Sequence, residues 1–459
     1  YFNSEKVIIS LYEILKKQYP DFNAKSLDKV KVHNKLYAGK PYNDALMRNV
    51  FSDMLKLTED FLILEYHKKD VFNSQIQLMN EFSSRRLIRL YEKNLDKAES
   101  FLENSEIKDV DFYKNKLKLE HAKKDFYNRH KDIYVNTKNS NQLISDNITV
   151  VFLIEMLYNN IDMLNIKAHR YDFDYRLNFE DEIVAFLGGT GSRYLEVSYI
   201  KYYYYTYKLL KTKEEKYYHM LKDFAETNFD KLTRMEISYI FTILTNYCSA
   251  RVMQGDDHFN EELFNLYDFR INKNFHVNNS GKVSHVFFMN AVAIAIEMDK
   301  TEWVERFVAE RQGELKEESR IDTIRFCNAK IKYHKKDFDE ALKELLMITS
   351  GDLPYKLSIK HLILHILFDA NEIEQFLTHV DSYRHFISNT GQIGDKIKED
   401  LNSYINFAKR IFSIKNELGK QNESDLYSLK HELNESNIYG KSWLLQRIKE
   451  MNQELIKKQ

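Results

Sequence analysis

The chain has 459 residues and carries 68 Lys and Arg against 69 Asp and Glu, a formal net charge of −1. Without an overall positive field it lacks the long-range attraction behind most non-specific nucleic-acid binding, so any such surface must be local. With only 12 glycines and 3 prolines, it cannot supply the turn residues a strand-rich fold needs, and an all-α fold is expected.

Hydrophobic residues at 43% and charged residues at 30% describe a folded, water-soluble chain. Cys248 and Cys327 fall in separate predicted helices with no CxxC. They read as small core residues of a reducing compartment, not as a disulfide framework. No apolar run approaches the roughly 18 residues that span a bilayer, and Val150 to Leu157 is interrupted by Glu155. A cytoplasmic protein without membrane contact is expected. The start at Tyr1 leaves room for a leader ahead of it.

In chain order, residues 5 to 18 put Val7, Ile8, Leu11, Ile14 and Leu15 on one helical face, stopped by Pro20. A second helix is predicted from Ser26, as N-cap, to Tyr37. After the Gly39 and Pro41 turn, Asn43 or Asp44 caps a third helix to about Leu64, with Leu46, Val50, Met54, Leu57 and Phe61 on its apolar face. Three helices with a tight turn before the third can form a helix-turn-helix. Asn43, Arg48 and Asn49 would then face a nucleic-acid groove. One or two helices are expected over 72 to 102 and another over 111 to 129. A polar loop is expected at 136 to 142 (NTKNSNQ), followed by an apolar helix from 144 to 166.

The stretch 169 to 182 gathers His169, Asp172, Asp174, Glu180, Asp181 and Glu182 but lacks the ligand offsets and turn glycine of a hard-cation loop and any HExxH spacing. It reads as an acidic connector, and no metal is expected. FLGGTGS (186 to 192) has no following Lys, and Gly440-Lys441-Ser442 has Glu435 where a phosphate loop needs its first Gly, so both read as helix ends and turns. In RYLEVSYIKYYYYTYKLL, Tyr202, Tyr203, Tyr204, Tyr205 and Tyr207 surround the helix. Such a helix is contacted on most sides, either by its neighbours or by a partner laid on Tyr202, Tyr203, Tyr205 and Tyr207. Self-assembly through the same face is a further expectation. The connector 270 to 283 is expected to be a mobile loop.

Phe338 sits in a tight turn between two predicted helices, and Trp303 and Ile373 hold the equivalent places 35 residues to either side. A period near 34 marks stacked helix pairs. Residues 329 to 346, AKIKYHKKDFDEALKELL, resemble a tetratricopeptide repeat, with Ala329 and Ala341 at its small positions. The resemblance stays in register over about 284 to 387. Lys336 stands where that family usually has Gly, and Arg306 and Phe376 replace its small residue. KLYAGKPYNDALMRN and YGKSWLLQRI also resemble stretches of uncharacterised bacterial helical proteins.

The resemblance implies antiparallel helix pairs stacked as an α-solenoid. The expected organisation is a helical N-terminal region (1–140, with a three-helix start at 5–65), the solenoid (141–390) and a C-terminal helical cap (391–459). Such arrays bind peptides or proteins. The chain holds no GxSxG, HExxH or supported DxD, so catalysis and cofactors are not expected. The function expected is a non-catalytic scaffold or adaptor for a protein or peptide partner. The alternative is a nucleic-acid-associated protein acting through Asn43, Arg48 and Asn49. The oligomeric state stays open.

Overall fold

The computed structural model describes residues 6–22, 27–130, 133–169, 175–349, 352–391, 393–416, 423–436, 438 and 440–458. The fold is all-α, 81% helical, and among the described residues the only extended pairings are the isolated bridges Val277 to Val283 and Val283 to Leu315. The chain divides into two compact units, Tyr1–Ser105 with Asp111–Ile148, and Glu106–Val110 with Thr149–Gln459.

The first unit begins with α1 (Lys6–Lys16), α2 (Lys29–Leu36) and α3 (Asp44–Lys69). Ile8, Leu11, Val32, Met47 and Val50 form their core. Asp28 caps α2, and the expected cap, Ser26, lies outside the described residues. Asn43 caps α3 by accepting from the Leu46 N–H at 3.0 Å. With 26 residues, α3 is about 39 Å long, against roughly 16 Å and 12 Å for α1 and α2. Its short neighbours cannot cover it, so Phe61, expected on the buried face, is 55% exposed.

Next come α4 (Val71–Ser84), α5 (Ile88–Glu103) and α6 (Val110–His130). Their core includes Phe72, Met79, Tyr91, Leu119 and Phe126. Tyr91 stacks on Phe126 at 3.8 Å and donates its hydroxyl to the Ala122 carbonyl.

One expectation is overturned at α7 (Ile133–His169). Residues 136–142 are helical, not a polar loop. The stretch has no Gly or Pro, and Asn, Ser and Thr each cost a helix only a few tenths of a kcal/mol, about 0.5 relative to Ala. Gln142 and Asn147 also make bonds to Asp146 and to the Leu143 carbonyl that the helix accommodates.

The second unit continues with α8 (Glu180–Gly188), α9 (Ser198–Thr212), α10 (Glu215–Asn228), α11 (Arg234–Met253), α12 (His258–Asn272), α13 (His285–Glu297), α14 (Thr301–Arg311), α15 (Glu317–His334), α16 (Phe338–Leu346), α17 (Leu353–Asp369), α18 (Ile373–Asn389), α19 (Asp395–Lys415), α20 (Glu423–Glu435) and α21 (Lys441–Lys458). From α9 to α19 each helix packs on the next, except that α14 packs back on α13, which itself packs on α15. One turn geometry closes six of the described helices, at Arg86, Gly255 and Asn274 and at three successive pairs. Asp299, Lys336 and Asn371 have φ of +52°, +61° and +61°, and the following residue donates back to Ala295, Lys332 and Leu367. This is the six-to-one bond of a Schellman helix end, so Lys336 adopts the conformation for which Gly is usually used. Ala329 and Ala341 are fully buried between α15 and α16.

The connector expected to be mobile is tied down instead. His276 bonds Glu314 at 2.8 Å, the Val283 N–H donates to the Glu314 carbonyl, and Val277 and Val283 are buried. Its Asn-rich turn folds locally around the Asn278 side chain, which accepts from Ser280 and Lys282. The C-terminal helices α19 to α21 share one core with α17 and α18.

Candidate functional site

The Tyr-rich α9 is enclosed by α10, α11 and α8. Tyr199, Tyr202, Tyr203 and Tyr207 are buried, while Tyr204 and Tyr205 are half-buried. Two of the hydroxyls bond carboxylates of other helices. Tyr199 donates to Glu236, which also closes the capping box with Thr233 at the start of α11, and Tyr207 donates to Glu180 at 2.7 Å. Burial raises the pKa of Tyr202, Tyr203 and Tyr207 and keeps the phenols neutral. Tyr202, Tyr203 and Tyr207 therefore sit in the core, not on a free face. Only Tyr204 and Tyr205 reach solvent, which leaves the packed-helix reading of this segment.

Of the acidic stretch, Glu180 is a structural partner, accepting from Tyr207 and paired with Lys211 at 2.5 Å. The side chains of His169, Asp172 and Asp174 lie outside the described residues. No group of three or more His, Cys, Asp or Glu among the described residues could hold a metal ion. Cys248 and Cys327 are buried, and burial pushes both thiols up, Cys248 to about 12, so neither is a ready nucleophile.

Asn43, Arg48 and Asn49 lie at the start of α3. Asn43 is engaged as its cap, the Arg48 guanidinium pairs with Asp44 at 3.0 Å, and Asn49 is exposed. Asp44, Asp53, Glu59, Asp60 and Glu65 outnumber Arg48, Lys56, Lys68 and Lys69 on this helix, so α3 as a whole carries no excess of positive charge.

A polar groove of ≈ 410 Å³ on α19 is lined by Ser403, Asn406, Phe407, Arg410, Ser413 and Glu432. Its carboxylate, Glu432, is paired with Arg410 at 2.8 Å. Lys409 also lines the groove, which leaves a cationic, polar surface with no free carboxylate among its lining residues.

The most organised polar chemistry lies where α21 crosses α15, α17 and α19. HLILHILFD (361–369) puts His361, His365 and Asp369 one turn apart along one face of α17, within an otherwise apolar run. The His365 ring lies flat on the Trp443 indole at 4.0 Å with 1° between planes, and its Nε2 meets the Tyr404 hydroxyl at 2.6 Å. His361 stacks on Tyr404 at 4.6 Å and lies 4.6 Å from the His365 ring. Burial holds His365 well below the ordinary imidazole range and His361 down to about 3, so both rings are neutral. A neutral imidazole can stack closely where an imidazolium would demand solvation.

Beside them, Asp369 accepts from the Tyr333 hydroxyl of α15 at 2.6 Å and from the Arg447 guanidinium of α21 at 2.9 Å. Arg447 also pairs with Glu450 at 3.0 Å and lies over the Trp443 ring at 5.5 Å. Between these anchors, Leu444 and Ile448 are fully buried. Gly440, at φ +74°, turns the chain into α21, and a Cβ there would meet the Tyr404 ring at 2.6 Å. α21 reaches α11 as well.

Trp443, Leu444 and Ile448 fall within residues 391–459, expected from the sequence as a C-terminal helical cap. Their partners His361, His365, Asp369, Tyr404 and Arg447 come from segments up to 86 residues apart, between His361 and Arg447. Two histidines at helical spacing in an apolar run were the one local signal of that polar cluster.

Comparison of the chain with protein-family models, with curated proteins and with solved structures gives no match. The functional reading rests on this geometry alone.

Proposed function

We propose that the second unit is a non-catalytic protein-binding scaffold, built as a tetratricopeptide-like stack of antiparallel helix pairs, whose partner is an amphipathic helix. Support for the stack comes from the packing of successive helices from α15 to α19 and from the buried Ala329 and Ala341. Binding is supported chiefly by the way α21 is held. An aromatic anchor on His365, an Arg locked to Asp369 and two buried aliphatic residues form the anchor pattern of a helix laid in a groove. In this reading α21 occupies the surface in the free protein, and a partner helix with Trp and Arg one turn apart replaces it.

The test uses the full chain carrying Trp443→Ala and Arg447→Ala, and a labelled peptide with the sequence of residues 438–458. The expected result is peptide binding by the variant, weak binding by the wild type, and little change in affinity between 50 and 200 mM salt, about the range over which phosphate-driven binding weakens strongly. A variant that keeps its helical circular dichroism and binds no peptide refutes the reading. If it instead binds a mixed-sequence duplex with a steep salt dependence, a nucleic-acid partner is favoured.

A further inference from the structure

Arg270, near the end of α12, is 7% exposed and makes no hydrogen bond or ion pair with a described residue. Its Nε is sealed without an acceptor, so the two Nη groups carry what exposure remains. Burial draws the guanidinium down to about 10, with Tyr267 the only ionisable group acting on it, and at neutral pH the charge stays in place. Acids of the neighbouring segments are engaged elsewhere. Glu262 bonds Tyr218 and Lys222, Asp268 bonds Trp303 and Asn272, and Glu314 bonds His276 and Arg311. A buried charge is ordinarily paired, because leaving it bare forfeits its solvation. For Arg270 the chain supplies no counter-charge.

The surroundings of this charge define what fits it. The guanidinium carbon lies over the Phe287 ring of α13 at 4.6 Å, and Tyr267 meets the same ring edge to face at 5.0 Å. With one face of the fork covered and Nε sealed, the Nη edge is left for an acceptor, the approach by which Arg takes an oxyanion through two parallel bonds. The Tyr267 hydroxyl stands beside the Asn290 amide, and Asn290, one turn along α13 from Phe287, is exposed and opens the crevice to solvent. His276, 6.0 Å from Phe287, is held below the ordinary imidazole range by burial and adds no second charge. One positive charge with neutral donors around it matches a monoanion. A phosphate dianion would bring in a second negative charge with nothing to meet it. We propose that Arg270 binds the carboxylate of a ligand between α12 and α13, with Tyr267 and Asn290 as further donors and Phe287 as the floor. The proposal does not depend on how α21 is held.

The experiment is thermal unfolding of the full chain with saturation-transfer NMR, at neutral pH and constant ionic strength, as chloride is replaced by acetate. Acetate is expected to raise the wild-type midpoint to a plateau and to show saturation transfer at its methyl protons. Arg270→Met should keep the helical circular dichroism, since an apolar side chain replaces an unpaired buried charge, and should lose both responses. Arg270→Lys keeps the charge without the fork and should bind acetate about tenfold more weakly; it decides the matter if Arg270→Met does not fold. N-acetylglycine separates the sources of the carboxylate. Binding tighter than that of acetate identifies a peptide chain end, weaker binding a free small acid, and neutral N-acetylglycinamide should not bind. A wild-type chain without saturation transfer to acetate overturns the proposal. So does an equal response in Arg270→Met, or in Arg270→Lys where that variant decides, or inorganic phosphate binding more tightly than acetate.

Discussion

Replacing Asp369 by Ala removes the acceptor shared by Tyr333 and Arg447. The Arg447 and Asp369 side chains are only 17% and 14% exposed, so the substitution leaves a mostly buried guanidinium with Glu450 as its remaining acid. Breaking a buried pair from one side costs about 3–5 kcal/mol, largely because the surviving charge is left uncompensated. Here the partial exposure and Glu450 argue for the lower end, about 3 kcal/mol. Arg447→Ala should cost about 2 kcal/mol, since Asp369 keeps its tyrosine bond and the loss is that of one charged hydrogen bond. If the two residues act as a pair, the double variant falls short of the sum by about 2 kcal/mol. The assay is urea unfolding followed by tryptophan fluorescence. The chain has 2 tryptophans, and a Trp303→Phe background leaves Trp443 as sole reporter of how α21 is held. Effects additive to within about 0.5 kcal/mol would refute the coupling.

Gly440→Ala should destabilise the same region by about 2 kcal/mol or more, because the new Cβ meets the Tyr404 ring in a left-handed backbone; an unchanged urea midpoint would contradict this. Lys336→Gly should stabilise by about 0.5–1 kcal/mol, relieving a φ of +61°, and a lower melting temperature would count against the turn geometry. Acid should weaken the fold well above the carboxylate range. His361 and His379 are pushed down to about 3 and 4, with His365 low as well, so below the unfolded imidazole pKa of about 6.5 the unfolded chain binds more protons. Stability is then fully present above that value and falls as pH drops toward the folded pKa values, by up to about 1.4 kcal/mol per pH unit per histidine. Unfolding free energies measured from pH 7 to 4.5 should decline, and the decline should shrink when His361, His365 and His379 are replaced by Gln.

The helical class was legible from glycine and proline scarcity, and the pairs around Trp303, Phe338 and Ile373 from their period, because both are local properties of the chain. Whether α9 was enclosed or free was not legible, since burial depends on which helices arrive around it; Glu180 and Glu236, which bind Tyr207 and Tyr199, come from other helices. The 136–142 segment misled because Asn, Ser and Thr mark loops by composition, although a long helix tolerates them. The connector after α12 misled for a related reason. Its polar residues face solvent, but Val277, Val283 and His276 fasten it. The C-terminal helix was legible, but its partners were not, because the stacking of Trp443 on His365 is a fact of tertiary structure.

Hydrogen exchange of the full chain, with and without excess peptide of residues 438–458, tests the central claim most directly. A replaceable helix opens as a unit with less free energy than the global transition. The account predicts that the amides of 441–453 exchange together, faster than those of α17 and α19, and faster still with the peptide present. Protection of α21 equal to that of α17, and indifferent to the peptide, would make it a permanent part of the core and contradict the claim.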